Sequence, residues 1–248
     1  LEMLAGSINR VAISTKFSTN EIAQAAKVLS QAGFSPGQMP GVLKAVADFA
    51  AATDSSLSTA ADTLSTMKEI YRDMSENEIA NQLTKAVNIS KLSGEDLQTI
   101  LSLGAQVAQG YNVTSEQFLS AVTVLRNAGI KASTVATGLR QAMLEVFNPD
   151  DPTVQALQEQ YMRIGENLSA EEIKAKFANF TNAVNPLVEA MQELERLGLG
   201  TAEGFGLNRG FNTRALNVLQ AMVGKTNELI EAQKRASANS PSDPPLTE

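Results

Sequence analysis

The sequence contains no cysteine and no histidine. Without cysteine the chain forms neither disulfides nor thiolate nucleophiles, and without histidine it has no imidazole base. The same two residues are the commonest ligands of zinc. These absences exclude much enzyme chemistry, whereas the missing cysteine fits a reducing compartment and a virion equally well.

Aromatic residues are scarce, at 5% of the chain with no tryptophan. The 248 residues are nevertheless 43% apolar, which is enough for a hydrophobic core. Alanine, leucine, valine, isoleucine and methionine must fill most of that core. Alanine has the highest helix propensity and lets helices approach closely, so this composition favours helices.

Long apolar runs are also lacking, since none approaches the roughly 20 residues that span a bilayer. The chain opens with Leu1-Glu2-Met3 and has no basic stretch followed by an apolar one. We therefore expect a soluble segment without a signal peptide and without a membrane partner, whose two ends are boundaries within a longer chain.

The net charge is −7, and no basic cluster is denser than Lys234-Arg235 or the pair Lys174 and Lys176. Phosphate binding requires a basic face that releases counterions, so duplex nucleic acid is not an expected partner. We interpret both basic pairs as solvated helix faces.

Helix starts are marked by capping boxes, in which a hydroxyl side chain accepts from the third amide and a Glu or Gln side chain accepts from the cap residue. Ser93 with Asp96 is a weaker form of the pattern, and Asp151-Pro152 predicts a cap followed by proline at the first helical position. Four segments match the full pattern: Ser18 to Glu21, Ser75 to Glu78, Thr114 to Gln117 and Ser169 to Glu172.

Glycine, proline and asparagine separate these segments. Apolar residues recur between them at steps of three and four, as at Phe118, Val122 and Leu125, and each such stripe must be covered by a neighbour. We therefore predict an all-α fold, a multi-helix array of short amphipathic helices without strands. The predicted helices cover residues 18–32, 40–52, 57–72, 76–91, 94–109, 115–128, 132–147, 152–164, 170–184, 187–197, 211–223 and 225–236.

One helical segment is echoed later in the chain. Residues 18–33 align without a gap on residues 114–129 and match in the cap, the apolar stripe and the terminal Ala-Gly. A duplicated helical hairpin is the favoured interpretation, and the alternative is two amphipathic helices with the same capping signals. We predict that Gly33 and Gly129 both take the left-handed conformation that ends a helix.

These signals divide the chain into four parts. Residues 1–17 are predicted to form a lead-in helix and residues 18–148 a core helical domain. Residues 149–236 are predicted to be a second helical part that closes the core. Residues 237–248 are small, polar and rich in proline, which is typical of a linker or a disordered tail.

Carboxylate pairs are the remaining source of catalytic chemistry, because two carboxylates suffice for a glycosidase. We interpret each pair as a helix-end, turn or surface feature, since acidic residues at these positions complement a helix dipole or solvate a face. The pairs are Asp150-Asp151, Glu171-Glu172 and Glu189 with Glu193.

Gly204 to Gly210 contains spaced glycines before a helix, but no strand precedes it, so neither a dinucleotide motif nor a P-loop is present. We interpret it as a helix-linking loop. No carboxylates have the spacing of a calcium loop. The sequence thus predicts a non-enzymatic chain with no catalytic residue, no cofactor and no metal site.

The stretch from Glu95 to Arg140 resembles the core of bacteriophage tail tape measure proteins. Glu21 to Gly33 with Leu43 to Thr53 is similar to the opening of that core, and Gly210 to Gln220 is similar to the helix that closes it. The resemblance spans about residues 18–235 and is loosest over 150–205. The family tends to have Gly at 132, Ala-Gly at 135 and 136 and Ala at 138, where this chain has Ala132, Val135, Ala136 and Gly138. These exchanges of small residues affect a close helix contact.

The resemblance implies a structural role. Such proteins are scaffold and ruler for the polymerising tail tube, occupy its lumen in several copies and leave ahead of the genome. The implied partners are the tail-tube protein, tail assembly chaperones and further copies of the chain, in the virion tail lumen and, during assembly, the host cytoplasm. No catalytic residues belong to this core. The alternatives are a helical adaptor or pore-forming toxin module of bacterial origin and, more remotely, a lytic enzyme domain.

Overall fold

A computed structural model describes residues 2–90, 92–202 and 205–237 of the chain. This part is helical and contains no strand, which confirms the all-α prediction. Its α-helices are α1 Glu2–Ser14, α2 Thr19–Gln31, α3 Met39–Thr53, α4 Leu57–Ile70, α5 Glu76–Ile89, α6 Gly94–Gly110, α7 Ser115–Asn127, α8 Ala132–Phe147, α9 Asp151–Arg163, α10 Ala170–Asn179, α11 Pro186–Arg196, α12 Phe205–Gly210, α13 Thr213–Met222 and α14 Thr226–Ser237.

The predicted helix starts are confirmed at all four capping boxes. In the first of them Ser18 Oγ accepts from the Glu21 amide at 3.3 Å, and Glu21 Oε2 accepts from the Ser18 amide at 2.8 Å. The weaker start is also a cap, since Ser93 Oγ accepts from the Asp96 amide at 3.1 Å. Local side-chain chemistry therefore sets where these helices begin.

The start of α9 lies one residue earlier than predicted. Asp150 is the cap, because its Oδ1 accepts from the Thr153 amide at 3.0 Å, and Asp151 is already the first helical residue. Pro152 then occupies the second position. The first four amides of a helix have no intrahelical partner, so the proline is tolerated there as well.

Both predicted glycine stops are confirmed: φ is 91° at Gly33 and 85° at Gly129. The hydrogen bonds match as well, because the Phe34 amide donates to the Leu29 carbonyl at 3.1 Å and the Ile130 amide donates to the Leu125 carbonyl at 3.2 Å. This pattern closes a helix by satisfying carbonyls in its last turn.

Two predicted boundaries are wrong. Residues 205–210 form helix α12 rather than a loop, because Leu207 is fully buried and packing stabilises a helix too short to persist alone. The predicted helix 170–184 ends at Asn179 and continues only as a 3₁₀ turn, Phe180–Asn182. There the Thr181 hydroxyl donates to the Ala178 carbonyl at 2.7 Å, a local bond that competes with the helical pattern.

The chain forms two compact units, Leu1–Gln106 and Val107–Glu248. In the first unit α3 is the central helix and packs on α1, α2, α4 and α5, while α2 also packs on α4. Leu43, Val46 and Phe49 of α3 are completely buried. A helix covered on most sides needs apolar residues around most of its circumference, as α3 has.

The helices of the second unit pair in a nested order, α7 with α14, α8 with α13 and α9 with α12. We call α12 to α14, Phe205–Ser237, the closing arm. Buried side chains of the closing arm, of α7 to α9 and of α10 and α11 form the core of this unit. The domain boundaries predicted at residues 17, 148 and 236 stay predictions, and residues 238–248 of the predicted tail lie outside the described residues.

Candidate functional site

Two of the three acidic pairs lie at helix starts, as the sequence predicted. Asp150 caps α9, and Asp151 accepts from Lys174 Nζ at 2.9 Å, a contact that lowers the pKa of Asp151. Glu172 belongs to the capping box of α10, and hydrogen bonds from Ser169 lower its pKa. The lowered pKa values of Asp151 and Glu172 favour their ionised forms, which suit an ion pair or a cap rather than a proton donor.

The third pair is Glu189 with Glu193, which the sequence predicted to lie on a helix surface. Glu193 is instead largely buried, with a side chain only 12% exposed. Glu193 Oε1 accepts from Tyr161 Oη at 2.5 Å and from Lys176 Nζ at 2.7 Å. Arg196 donates to both Glu193 oxygens, from Nη2 at 2.7 Å and from Nε at 2.9 Å. Arg196 Nη1 also donates to Glu166 Oε1 at 2.6 Å. We call these five residues the Glu193 clamp.

Local structure positions each member of the Glu193 clamp. Gly165, with φ of 85°, ends α9 and turns the chain back, and the Glu166 amide donates to the carbonyl of Tyr161, in the last turn of that helix, at 2.9 Å. Glu193 and Arg196 lie three residues apart on α11, on one face of that helix. Sequence reasoning missed the cluster because Tyr161 is 32 residues from Glu193, and only tertiary structure joins them.

The electrostatics of the clamp favour a fixed ionic network. Burial acts to raise the pKa of Glu193, but hydrogen bonds from Arg196, Lys176 and Tyr161 outweigh it and lower that pKa to about 2. Burial, together with the hydrogen bond to Glu193, raises the pKa of Tyr161 above its usual range. A general acid needs a raised carboxyl pKa, so this arrangement joins α9, α10 and α11 rather than supplying a proton.

The second unit also contains two close helix contacts at glycines. A Cβ added at Gly138 of α8 would lie 2.5 Å from Val218 Cγ2 and 2.8 Å from the Arg214 carbonyl oxygen of α13. A Cβ at Gly210 of α12 would lie 2.4 Å from Ala156 Cβ of α9. Gly138 is one of the small-residue exchanges noted in the sequence, and in the structure it lies directly against α13.

A surface groove of about 390 Å³ lies between α9 and α12. Side chains of both signs line it, among them Glu159, Arg163 and Arg209. Within the described ranges, no group of three or more acidic side chains is arranged to hold a metal ion. In that same part of the chain, no helix is long and apolar enough to cross a membrane.

The chain belongs to the family of phage-related minor tail proteins, whose family model matches residues 5–240. The chain is similar to the tape measure protein of Pneumococcus phage Dp-1, at 24% identity over 148 residues. That match covers 58% of the chain but 13% of the relative, so the chain spans a small part of the relative's length. No solved structure matches. The chain is thus a structural component of a phage tail and is located in the virion tail.

Proposed function

We propose that this chain is a compactly folded, non-enzymatic part of a tail tape measure protein that acts as scaffold in tail-tube assembly. The observation that carries this proposal is the interruption of its helices. The longest described helix, α6, has 17 residues, and at ~1.5 Å per residue it extends only about 25 Å. Six described glycines take positive φ and turn the chain: Gly33, Gly129, Gly165, Gly198, Gly200 and Gly224.

An extended helical rod would be costly for this sequence. Pro152 and Pro186 lie in first turns here, but each would become internal in a continuous helix at a cost of ~3 kcal/mol. The apolar stripes would also face solvent unless neighbouring copies covered them. We therefore infer that this region is compact in at least one stage of assembly, and that a less interrupted part of the parent chain measures most of the tail length.

The proposed partners follow from the family. They are the tail-tube protein, tail assembly chaperones and further copies of the same chain, with the parent protein in the tail lumen and, before that, in the host cytoplasm. The proposal includes departure of the parent ahead of the genome. It includes neither a cofactor nor duplex nucleic acid.

An in-frame deletion of residues 18–235 in the phage tests whether this segment measures length. We expect failed assembly or a small change in tail length, measured by electron microscopy. If the segment were an extended helical ruler, tails would assemble normally and be shorter by about 330 Å, which is the helical rise times the deleted length. That result would overturn the proposal.

A variant that keeps the number of residues separates folding from length. Replacing the four box residues Ser18, Ser75, Thr114 and Ser169 by alanine removes about 1 kcal/mol at each helix start. Each unit loses about 2 kcal/mol, a large fraction of the ~5 to 15 kcal/mol that stabilises a typical domain. We expect fewer assembled tails of unchanged length. Full assembly of a variant that circular dichroism shows to be unfolded would show that the compact fold is dispensable.

The non-enzymatic part of the proposal has its own test. Wherever the pKa of a described carboxyl group is shifted, hydrogen bonds or nearby cations lower it. The chain also lacks cysteine and histidine. The purified chain should neither release fragments from peptidoglycan nor retard duplex DNA at physiological salt. Turnover that disappears when one carboxylate is replaced would reveal a catalytic site.

A further inference from the structure

We propose that the second unit opens pair by pair when its two ends are pulled apart, first α7 from α14, then α8 from α13 and then α9 from α12. Opening in this order lengthens the compact unit in steps. The inference deepens the proposed compact scaffold, because it assigns how that scaffold extends, and it rests on that proposal for its setting in the tail. The order of opening is tested on the purified chain, so its failure is distinct from an unexpected tail length.

Helices α8 and α13 pack against each other in opposite directions. Glu145, in the last turn of α8, accepts through Oε2 from the amide of Asn212 at the start of α13, at 2.9 Å. Gly138, in the first half of α8, lies against Val218 in the second half of α13. The end of one helix therefore meets the start of the other.

Helices α9 and α12 have the same antiparallel arrangement. Thr153 Oγ1, in the first turn of α9, donates to the carbonyl of Gly210, the last residue of α12, at 2.8 Å. Further along α9, Glu159 Oε2 would lie 3.8 Å from a Cβ added at Gly206, near the start of α12. These two pairs are therefore successive antiparallel layers, with α9 and α12 nearer to the middle of the unit in chain order.

The outer pair, α7 with α14, is held at the two ends of the unit. Gln117 Nε2, in the first turn of α7, donates to the Val184 carbonyl at 2.8 Å. Asn185 Nδ2 donates to Oε1 of Gln233, in the second half of α14, at 2.6 Å. Because Val184 and Asn185 are neighbours in the chain, the start of α7 and the end of α14 meet there. We call these four residues the end latch.

This nested arrangement determines how tension acts on the unit. The chain enters and leaves beside the end latch, so a force that separates the two ends acts on α7 and α14 before it reaches any inner pair. The contacts of α7 with α8 and α13, and of α14 with α11, are released in the same step. Helices this short are not stable without partners, so each freed pair extends. Cooperative opening of one such motif at a time is a common behaviour of compact domains.

Single-molecule pulling on the purified chain tests the order of opening. The chain has no natural cysteine, so cysteines introduced at exposed positions attach the handles. Gln109→Cys and Arg235→Cys attach them at the two ends of the unit. The matched control keeps Gln109→Cys and moves the second handle to Asn227→Cys, at the opposite end of α14. Force between those positions makes α14 slide along α7, which loads all contacts of the pair together.

With handles at positions 109 and 235 we expect stepwise opening. The first step should free residues 110–131 and 224–235, roughly 120 Å of extended chain at ~3.5 Å per residue. In the control we expect one step of roughly 400 Å, from residues 110–226, at a higher force. A single step in the first geometry, a first step of another length, or equal opening forces in the two geometries would overturn the proposal.

Gln117→Glu separates the end latch from the start of α7. Gln117 Oε1 accepts from the Thr114 amide at 3.1 Å, and a glutamate oxygen has this role in the other three capping boxes. The variant therefore keeps the cap and loses only the donor to the Val184 carbonyl. With handles at positions 109 and 235 we expect a lower force for the first step and unchanged forces for the later ones. An unchanged first step, or an equal loss of force in every step, would overturn the role of the end latch.

Discussion

Helices α2 and α7 begin and end alike but are buried very differently. Both have 13 residues, a capping box at the start and a left-handed glycine at the end. In α2 only the single stripe Ile22, Ala25, Ala26 and Leu29 is buried. In α7 ten residues are buried, and these include polar residues such as Ser120 and Thr123 that lie outside the apolar stripe. Similar local signals therefore do not produce similar environments.

The difference arises from the packing partners. Helix α2 lies at the side of the first unit, on α4, α1 and α3, whereas α7 is covered by α14, α13 and α8. One aligned pair of residues reflects this difference in burial, because the exposed Lys27 of α2 corresponds to the buried Thr123 of α7. The local geometry repeats but the packing does not, so duplication stays a hypothesis.

A reciprocal exchange at these two positions should have the largest effect. Thr123→Lys places an ammonium group in the covered face of α7 and should lower the free energy of unfolding by about 3 kcal/mol or more, because an unpaired charge is buried. Lys27→Thr in α2 should change it by less than about 0.5 kcal/mol, as is usual at the surface. Urea unfolding followed by circular dichroism measures both. Equal effects would show that the two helices are equally exposed.

Replacing a helical glycine by alanine in each unit compares a tightly packed position with an open one. Gly138→Ala should cost about 2 kcal/mol, because its Cβ meets Val218 and a backbone carbonyl that cannot move away freely. Gly41→Ala in α3 meets nothing within 4 Å, and it should instead stabilise the chain by up to about 1 kcal/mol through helix propensity. Thermal unfolding of the two variants gives the comparison. A neutral Gly138→Ala would contradict the close approach of α8 and α13.

The Glu193 clamp predicts that the second unit loses stability at low pH. Its carboxyl has a folded-state pKa near 2, below the unfolded value near 4.5, so its stabilisation is present above the unfolded value and is lost as the pH falls through about 2. Allowing for solvent screening, Glu193→Gln should cost on the order of 1 to 2 kcal/mol at pH 7 and almost nothing at pH 2.

The control for the clamp is Glu78→Gln in the first unit. Hydrogen bonds from Ser75 lower the pKa of Glu78, but a glutamine serves the same cap in the box of Thr114 and Gln117. Urea unfolding at the two pH values should show a smaller pH-dependent difference for Glu78→Gln than for Glu193→Gln. The reverse order would mean that the clamp does not contribute to stability.

The smallest expected loss of stability is that of the two glycine stops, and it should be the same at both. Gly33→Ala and Gly129→Ala should each cost about 1 kcal/mol, because alanine resists positive φ. Both glycines are exposed with open space around them, so the penalty is local and independent of how deeply the helix is buried. Urea midpoints of the two variants should agree closely. A much larger loss at Gly129 would indicate that its stop also supports tertiary packing.

Sequence reasoning succeeded where one or two side chains decide the structure. Capping boxes, the glycine stops and the family resemblance all depend on residues close together in the chain. It failed at α12, where burial of Leu207 stabilises a helix of six residues, and at Glu193, whose partners come from three helices. At both places distant contacts outweigh local preference, and a single sequence does not specify which distant residues meet.

Local signals in the sequence suffice to predict that this protein is all-α and where most of its helices begin and end, because a cap hydroxyl or a left-handed glycine acts within one turn. Long-range packing sets which faces are covered, that α12 to α14 close over α7 to α9, and that Glu193 becomes the centre of an ionic clamp. Helical stripes specify that a neighbour is needed, whereas shape at contacts such as Gly138 with Val218 selects which neighbour it is.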